Sequence, residues 1–557
     1  MESIVLSIRQ AVQTLYDKEV TVNLERPDVR FGDAATNVAL QLAREVGKSS
    51  REIAEQIAGT LRETAEFAEV TVAGPGFINM RLSDAALYAM ALQPVKKIYS
   101  DKEFVLEYSC PNAFKELHTG HLYQTIYGDN LARLLEKAGA TVHRTSFGGD
   151  VGLHVAKCLY GMQLTLGDDA LRQLAEVTAS PFARARWISE QYVKGAAAYE
   201  EDEAAKAAIG GLNKAVYEIH AQNDHTSPLA QLYWQTRQWS FEYFEAFYEL
   251  IGVASMHYYP ESMTAPVGMR VVQEQLAQGN LKESEGAVVF IGDESQHLHT
   301  RVFVTSQGLP TYETKDIGVI WLEKQDYQFN QRILITGNDQ REYMRVVFAA
   351  AEVFRPELAG QMTHLTNGTV KFADGQKMSS RLGNVTRAIE AIDSVSEKVA
   401  ELVADEGDRA TVTLGAVKYA FSKYRFGGDI AFDVDETVSL AGNSGPYLQY
   451  AHARAASILA KSDKQPIETN SYDKYERALL RKLGEYSMVV EKAAAEYALH
   501  GICNYLYELA QEFNRFYEQA RIVGDSREAE RLHLIELYKN MLADGLALLG
   551  IDTPERM

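Results

Sequence analysis

The 557-residue chain is short of cysteine, of positive charge and of long apolar stretches. Its three cysteines, Cys110, Cys158 and Cys503, are too few and too scattered for a disulfide framework or a cysteine-based zinc site. No apolar run is long enough to span a bilayer, and the opening MESIVLSIRQ lacks the charged and apolar blocks of a secretory signal. We therefore expect a cytoplasmic protein that does not associate with membranes.

A formal net charge of −20 disfavours indiscriminate binding to a polyanion. A local basic track could still contact phosphates, so the composition permits RNA binding without indicating it. The hydrophobic and charged fractions, 46% and 24%, are ordinary for a globular protein, and the length predicts about three or four domains. Composition alone leaves an acidic enzyme and a helical scaffold equally open.

The stretch EYSCPNAFKELHTGH at 107–121 joins a predicted strand to a predicted helix. A short β-rich run precedes it, and apolar residues at helical spacing continue to about Lys137. The helix opens on HTGH, where free backbone N–H groups and a partial positive charge suit a triphosphate. Gly120 permits close approach of a nucleotide, and His118 and His121 add side-chain donors. The alternative is that the two histidines only cap the helix or fill the core.

In this context HTGH resembles a signature of class I aminoacyl-tRNA synthetases. It follows a strand and SCPNAFKEL, and a second β-like run at 141–147 ends in GGDVG. Within that class EYSCPNAFKELHTGHL is similar to the arginyl-tRNA synthetase form, and the similarity extends over nearly the whole chain. It implies an α/β fold with a Rossmann-like nucleotide-binding catalytic domain, a helical insertion, a small N-terminal α/β domain and an all-α C-terminal anticodon-binding bundle.

We predict an N-terminal domain at 1–95, a catalytic domain at 101–396 and a helical domain at 397–557. Aromatic and helix-forming residues at about 164–252 indicate a packed insertion in the catalytic domain, to which we assign no chemistry. A strand-like run at 301–305 is expected to begin the second half of the nucleotide-binding fold, and residues 70–82 are expected to form two short strands broken at 74–76. FGDAATNVALQLA and AGPGFINMRLS resemble the N-terminal domain that contacts tRNA in the family. This makes Asn79 a candidate RNA contact, although it could equally complete a turn or a strand end.

The C-terminal strings PYLQYAHAR and LLGIDTPERM resemble the anticodon-binding domain of the same family. The resemblance implies tRNA contacts from Tyr447, Gln449 and Arg454. The alternative is a helical bundle that serves stability or dimerisation.

The resemblance also implies an arginine site. When the first motif is compared with the family residue by residue, five of its positions match positions that line the arginine site. They are Glu107, Cys110, Pro111, Asn112 and His121. Cys110 stands where serine is usual, which weakens one hydrogen bond.

The remaining arginine contacts are expected from YETKD and GNDQ. Tyr312 and Asp316 are four residues apart and share a face if the segment is helical. Followed by a strand and Gln340, they resemble the family's arginine pocket, where an ionised carboxylate is the best partner for a guanidinium. The plain alternative makes Asp316 a helix-surface acid and Gln340 a helix cap.

The string KMSSR at 377–381 resembles the second class I signature, usually KMSKS. We expect this loop to act on ATP through its five residues, Lys377, Met378, Ser379, Ser380 and Arg381. Ser380 and Arg381 depart from the usual lysine and serine. We predict that Lys115 supplies the missing positive charge, with Lys377 as a competing candidate and a merely solvated Lys115 as the alternative.

Together these motifs predict a monomeric arginine–tRNA ligase. It takes ATP, with Mg²⁺ as part of the substrate complex, L-arginine and tRNA-Arg, and it has no metal cage of its own. One rival is a class I ligase for another amino acid, which YxxxD and SCPN disfavour. The other is a catalytically silent RNA-binding relative, which the intact HTGH, Asp316 and KMSSR disfavour.

Overall fold

The computed structural model describes residues 1–174, 176–177, 180–373 and 386–557. Within these ranges, no helix combines the length and the hydropathy needed to cross a bilayer. The predicted KMSSR loop at 377–381 lies outside the described residues.

The first 82 residues form a small antiparallel sheet covered by helices. Its elements are, in chain order, α1 (Glu2–Tyr16), β1 (Leu24–Glu25), β2 (Ala34–Thr36), α2 (Val38–Val46), α3 (Ser50–Arg62), β3 (Phe67–Ala73) and β4 (Phe77–Leu82). The strand order is β1-β2-β4-β3. The predicted break at 74–76 is the turn between β3 and β4, and Ile78 and Met80 alternate into the core.

A parallel sheet forms the centre of the molecule. The elements that build and flank it are α4 (Asp84–Ala91), β5 (Glu103–Glu107), α5 (Thr119–Lys137), β6 (Thr141–Gly148), α6 (Leu153–Leu166), α7 (Ala170–Leu174), α8 (Pro181–Glu201), α9 (Glu203–Gln222), α10 (Pro228–Leu250), β7 (His257–Pro260), α11 (Glu261–Ala277), β8 (Lys282–Ser284), β9 (Ala287–Phe290), β10 (Arg301–Val304), α12 (Tyr312–Asp326), β11 (Gln331–Gly337), α13 (Arg341–Phe354), β12 (Met362–Asn367) and β13 (Val370–Phe372). Five strands pair in the order β12-β11-β5-β6-β7, all parallel. The predicted Rossmann-like fold is confirmed.

The chain enters this sheet at its middle strand and builds outward in one direction before returning to the other side. The order therefore reverses between β5 and β11, and ligands of such sheets bind outside the carboxyl ends of the strands at that point. The helical insertion is α6 to α10, which begins at Leu153, earlier than the predicted residue 164.

One predicted strand belongs to a different sheet. The run at 301–305 was expected to open the second half of the parallel sheet, but β10 pairs with β9 in the small antiparallel sheet β10-β9-β8. A hairpin at 284–287 places β9 beside β8, which leaves the free edge of β9 for β10. Sequence periodicity could not distinguish the two sheets because both need the same alternation.

The C-terminal part is largely helical, as predicted. Its elements are α14 (Ala388–Leu402), α15 (Glu406–Ser422), β14 (Ile430–Phe432), α16 (Val434–Thr437), α17 (Gly445–Ala460), α18 (Lys474–Leu483), α19 (Tyr486–Glu496), α20 (Leu499–Gln519) and α21 (Glu528–Leu548). The domain boundary expected at residue 396 falls inside α14. The strand β14 also pairs in parallel with β13, so residues beyond the expected boundary belong to the central body.

The N-terminal module is fastened to the helical part by a group of ion pairs, which we call the interdomain clasp (Asp33, Asp84, Arg477 and Arg481). Arg477 Nη2 lies 2.7 Å from Asp33 Oδ2, and Arg481 Nε lies 3.4 Å from Asp33 Oδ1. Arg477 also contacts Asp84. Because Asp33 is buried, these partners offset the cost of removing its charge from water.

We expect Arg477→Met to lower the free energy of unfolding by about 1–3 kcal/mol, because Asp33 and Asp84 each lose a charged partner. Differential scanning calorimetry measures the change. Arg515→Met is the matched control, since Arg515 is exposed and pairs only with Glu512 one turn away. Equal shifts in the two variants would show that the clasp adds nothing to stability.

Candidate active site

A cleft of about 1380 Å³ opens where the order of the parallel strands reverses. The first turn of α5, the loop after β6, the start of α12, the turn after β11 and the strand β13 line it. A pocket for one small ligand usually has about 300–1,000 Å³. The cleft is therefore large enough for two small substrates side by side.

Two stacked histidines form the start of α5. His118 N–H donates to His121 Nδ1 over 3.2 Å, His121 N–H donates to His118 Nδ1 over 3.3 Å, and the ring centroids are 3.7 Å apart. Burial lowers the pKa of His118 to about 4 and lowers that of His121 well below its usual value. Both rings are thus neutral, and since each Nδ1 accepts a hydrogen bond, each carries its proton on Nε2.

The capping pair leaves few backbone donors free in the first turn. Thr119 N–H donates to Thr386 O over 3.0 Å, and Leu122 N–H donates to His118 O over 3.1 Å. Gly120 N–H has no partner among the described residues, and a Cβ at Gly120 would lie 2.9 Å from the His118 ring. Gly120 N–H and the two Nε2–H groups therefore form a neutral set of anion donors at a helix N-terminus. Capping by the two side chains therefore leaves their Nε2–H groups able to donate to a ligand.

The loop from 109 to 117 holds strained backbone between β5 and α5. Ser109, Cys110 and Phe114 have φ angles of 68°, 47° and 65°, in the left-handed region that non-glycine residues seldom adopt. Such strain persists where the surroundings fix it, and it is common at functional sites.

The helical insertion supplies the groups that fix this loop. Tyr248 OH is 2.9 Å from Ser109 Oγ, Phe114 N–H donates to Ser240 Oγ over 3.0 Å, and Leu117 N–H donates to Tyr243 OH over 3.2 Å. The sequence assigned no role to these α10 residues. Their hydroxyls give the insertion a positioning function that aromatic spacing alone does not reveal.

A buried ion network forms the floor beneath the cleft. Arg332 Nε donates to Glu323 Oε2 over 2.6 Å, and Arg332 also contacts Glu107. Thr145 Oγ1 donates to Glu323 Oε1 over 2.6 Å. Burial raises the pKa of Glu107, an effect that Arg332 opposes. Glu107, predicted to bind arginine, lines the cleft with one oxygen already paired to Arg332. A lone arginine in the apolar strand RILIT was the available signal for this network.

Asp316 is the part of the acidic floor that lines the cleft, although its side chain is largely buried. It projects from the first turns of α12, is 7% exposed, and accepts a hydrogen bond from Tyr343 OH. Burial raises its pKa to about 7, against the hydrogen bond from Tyr343 and the charge of Arg332. Asp316 forms no ion pair with any described residue, so it can take a cationic partner from the cleft. The sequence missed Tyr343, which no spacing rule distinguishes from a core aromatic.

Other predicted arginine-site residues lie on the same cleft with differing exposure. Tyr312 is 65% exposed at the start of α12, although it shares a helix with Asp316. Asn112 lines the cleft, and its Oδ1 accepts from Gly149 N–H over 2.9 Å. Gln340 lines the cleft and makes no side-chain capping bond at α13. Cys110 lines it too, whereas Pro111 is buried and lies outside the lining.

The lysine and loop residues that were predicted to act on the phosphates of ATP divide into two groups. Lys115 does not line the cleft, because its ammonium lies 4.2 Å from the centroid of the Tyr192 ring on α8. Lys377, Met378, Ser379, Ser380 and Arg381 fall outside the described residues. The residues that flank that segment, Ala373 and Thr386, both line the cleft.

Two of the predicted tRNA contacts belong to an aromatic and basic surface on α17 and α20. Asn514 bridges Tyr447 OH and Arg454 Nη1, each at 2.9 Å. The Arg454 guanidinium lies 5.0 Å from the Tyr450 ring and 5.7 Å from the Tyr517 ring. Such a surface can contact phosphates and stack on bases.

The other two tRNA candidates have different positions. Asn79 is partly exposed on β4, on the face opposite Ile78 and Met80. Gln449 is a correction to the prediction. It is fully buried and donates to Thr411 O and Asp552 O over 3.1 and 2.8 Å, because its side chain anchors the C-terminal segment against α15.

In the part of the chain that the structure describes, no group of three or more His, Cys, Asp or Glu side chains is arranged to hold a metal ion.

Three family models match consecutive parts of the chain. They are the "Arginyl tRNA synthetase N terminal domain" at 2–82, the "tRNA synthetases class I (R), catalytic domain" at 84–430 and the "DALR anticodon binding domain" at 448–557. The catalytic model alone covers more than half of the sequence.

Individual proteins match over the full length. An arginine–tRNA ligase of Shewanella oneidensis is 30% identical, and one of Shewanella sp. (strain MR-7) is 29% identical; each alignment spans 100% of this chain and 99% of the relative. The solved structure of Thermus thermophilus arginyl-tRNA synthetase superposes with a TM-score of 0.78 at 25% identity, over 100% of both chains.

Proposed function

The chain belongs to the arginyl-tRNA synthetase family, and we propose how its cleft carries out the arginine–tRNA ligase reaction. In the first step the arginine carboxylate attacks the α-phosphate of ATP, which gives arginyl-adenylate and pyrophosphate. In the second step the arginyl group passes to the terminal adenosine of tRNA-Arg. Both steps depend on positioning and on charge stabilisation more than on a general base.

The observation that carries this proposal is one cleft with neutral anion donors on one side and a buried acid on the other. The triphosphate takes Gly120 N–H and the Nε2–H groups of His118 and His121. The guanidinium of arginine takes Asp316, whose carboxylate forms no ion pair with any described residue. The α-amino and carboxylate ends then lie toward Asn112 and the start of α5.

Glu107 acts through Arg332 in this arrangement. It lies within the buried network and shapes the pocket floor, and its remaining oxygen accepts a weak bond from the Cys110 thiol, with sulfur and oxygen 3.6 Å apart. Tyr312, at the open edge, and Gln340 complete the amino-acid side of the cleft. Magnesium arrives with ATP and is held by phosphates and water.

We propose that tRNA contacts both ends of the chain. Asn79 contributes from the N-terminal module, and Tyr447 and Arg454 contribute from the helical part. We also propose that the protein acts as a cytoplasmic monomer. Sedimentation velocity with and without tRNA tests the oligomeric state.

Arginylation of bulk tRNA tests the function. We expect the purified chain to esterify arginine, and none of the other nineteen amino acids, to bulk tRNA in the presence of ATP and Mg²⁺. Esterification of a different amino acid would identify another class I ligase. Tight tRNA binding without any esterification would identify a silent RNA-binding relative.

We expect Arg454→Ala to raise the KM for tRNA about tenfold, because it removes a cation together with its stacking on two tyrosines. Steady-state arginylation at varied tRNA concentration measures the change. Lys539→Ala is the control, since Lys539, on α21, pairs with Glu555 in the C-terminal segment that follows the helix. An unchanged KM for tRNA in Arg454→Ala would remove this surface from the tRNA site.

A further inference from the structure

The described residues that line the cleft carry few positive charges. Carboxylates come from Glu261, Asp316, Asp339 and Asp429, among others, while Lys371 is the only lysine or arginine in this part of the lining. The histidines of the first turn of α5 are neutral donors. Among these lining residues Lys371 alone offers a positive charge to a triphosphate placed there, while Lys115, outside the lining, acts on both histidines through its charge.

Lys371 lies beside the helix that holds these donors. It is the middle residue of β13, which begins three residues after Asn367. Asn367 Oδ1 accepts a hydrogen bond from Gln124 Nε2 over 3.0 Å. Gln124 follows His121 by three residues on α5, so both project from one side of the helix. The strand β13 therefore runs past the second turn of the same helix.

The side chain of Lys371 can leave its present partner, Asp429, and bind a ligand instead. It is 68% exposed, and its ammonium lies 2.6 Å from Asp429 Oδ2. Asp429 Oδ1 separately accepts from Thr369 N–H over 2.8 Å, so this carboxylate keeps a partner if Lys371 moves. Exposed ion pairs of this kind are weak. Lys115, in contrast, is directed to the Tyr192 ring.

We propose that Lys371 binds the triphosphate of ATP and stabilises the departing pyrophosphate. As the arginine carboxylate oxygen bonds to the α-phosphorus, the bond from that phosphorus to the bridging oxygen breaks, and pyrophosphate keeps the electron pair. Lys371 stays protonated throughout and transfers no proton. The assignment rests on the proposed ATP position at the start of α5.

The test is arginine-dependent ATP–pyrophosphate exchange with tRNA present. We expect Lys371→Ala to lower kcat/KM for ATP about tenfold, the lower end of what a hydrogen bond to a charged group contributes, with the KM values for arginine and tRNA unchanged. Lys371→Arg keeps the charge and should recover most of the loss. Asp429→Asn keeps the acceptor for Thr369 and frees Lys371, so the KM for ATP should stay constant or fall.

Lys398→Ala is the matched control, because Lys398 is also an exposed, ion-paired lysine, 3.5 Å from Asp435, and neither residue lines the cleft. Equal parameters in Lys371→Ala and Lys398→Ala would overturn the proposal. So would a rise confined to the KM for tRNA, or an ATP defect seen in Lys115→Ala and absent in Lys371→Ala.

Equilibrium binding of a non-hydrolysable ATP analogue separates this inference from the proposed function. A wild-type chain that binds the analogue yet arginylates no tRNA contradicts the ligase function alone. Weaker binding of the analogue by Lys371→Ala still supports the role of Lys371 in that case, and equal binding by both chains overturns it.

Discussion

Asp316→Asn should lower kcat/KM for arginine by roughly 30-fold to 1,000-fold while the KM for ATP changes little. The substitution keeps the shape and the acceptor for Tyr343 but removes the charge that faces the cleft. Cutting one partner of a charge-assisted pair in a partly dry pocket costs roughly 2–4 kcal/mol. ATP–pyrophosphate exchange with each substrate varied in turn measures both constants. Glu342→Gln controls for loss of charge, because Glu342 is an exposed acid paired with Arg345 beyond the cleft lining. Equal effects on arginine and ATP would refute the assignment.

The same carboxyl predicts a pH dependence. Its pKa is raised to about 7, and a guanidinium binds only the ionised form. Arginine binding must therefore expel a proton below pH 7, so the KM for arginine should fall as pH rises and level off above that value. Between pH 6 and pH 8 the change should be about tenfold, since ionisation rises from about one tenth to about nine tenths. In Asp316→Asn this dependence should disappear. A wild-type KM that is constant from pH 6 to pH 8 would contradict the proposal that Asp316 must ionise to bind arginine.

The second large effect concerns the histidine pair at the start of α5. His118→Asn should lower kcat for ATP–pyrophosphate exchange by about 10² to 10³, the scale for one preorganised donor. Asparagine is a good N-cap and can accept the His121 N–H in place of Nδ1, but it cannot place a donor where Nε2–H stands. Stability should stay within about 0.5 kcal/mol of wild type.

His118→Ala is the companion variant, because it removes the cap as well as the donor. It should lose a similar amount of activity and, in addition, about 1 kcal/mol of stability. The comparison separates the two roles of the side chain. If His118→Asn keeps nearly full exchange activity while His118→Ala is impaired, the histidine is only a cap.

Most of the local structure was predictable from spacing. The strand before HTGH, the helix to Lys137 and the turn at 74–76 all formed as expected, because period and turn residues are local signals. The placement of β10 and the continuity of α14 through residue 396 were not, since each depends on which distant strand or helix packs alongside. The periodicity within one short stretch of sequence does not show which distant segment that stretch will pair with.

The site was predictable only in part, for a similar reason. The motif residues His118, Gly120 and Asp316 converge on one cleft as the resemblance implied. The network of Arg332 with Glu323, and the hydroxyls of α10 that fix the strained loop, came from elements 100 or more residues away from the first motif. Gln449 shows the converse: its motif suggested a surface contact, but helix packing buries it. Burial depends on the neighbours, which the motif does not encode.

The interdomain clasp has a consequence for biosynthesis. Asp33 and Arg477 are separated by 444 residues. At a synthesis rate of about 5–20 residues per second, the N-terminal module emerges roughly 20–90 seconds before its partner arginine exists. During that interval a carboxylate that the mature protein buries must stay hydrated, so the docking face of the nascent module cannot close. Docking of the N-terminal module therefore waits for the synthesis of α18, and any slowing of translation between the two segments prolongs the exposure of that face to chaperones and proteases.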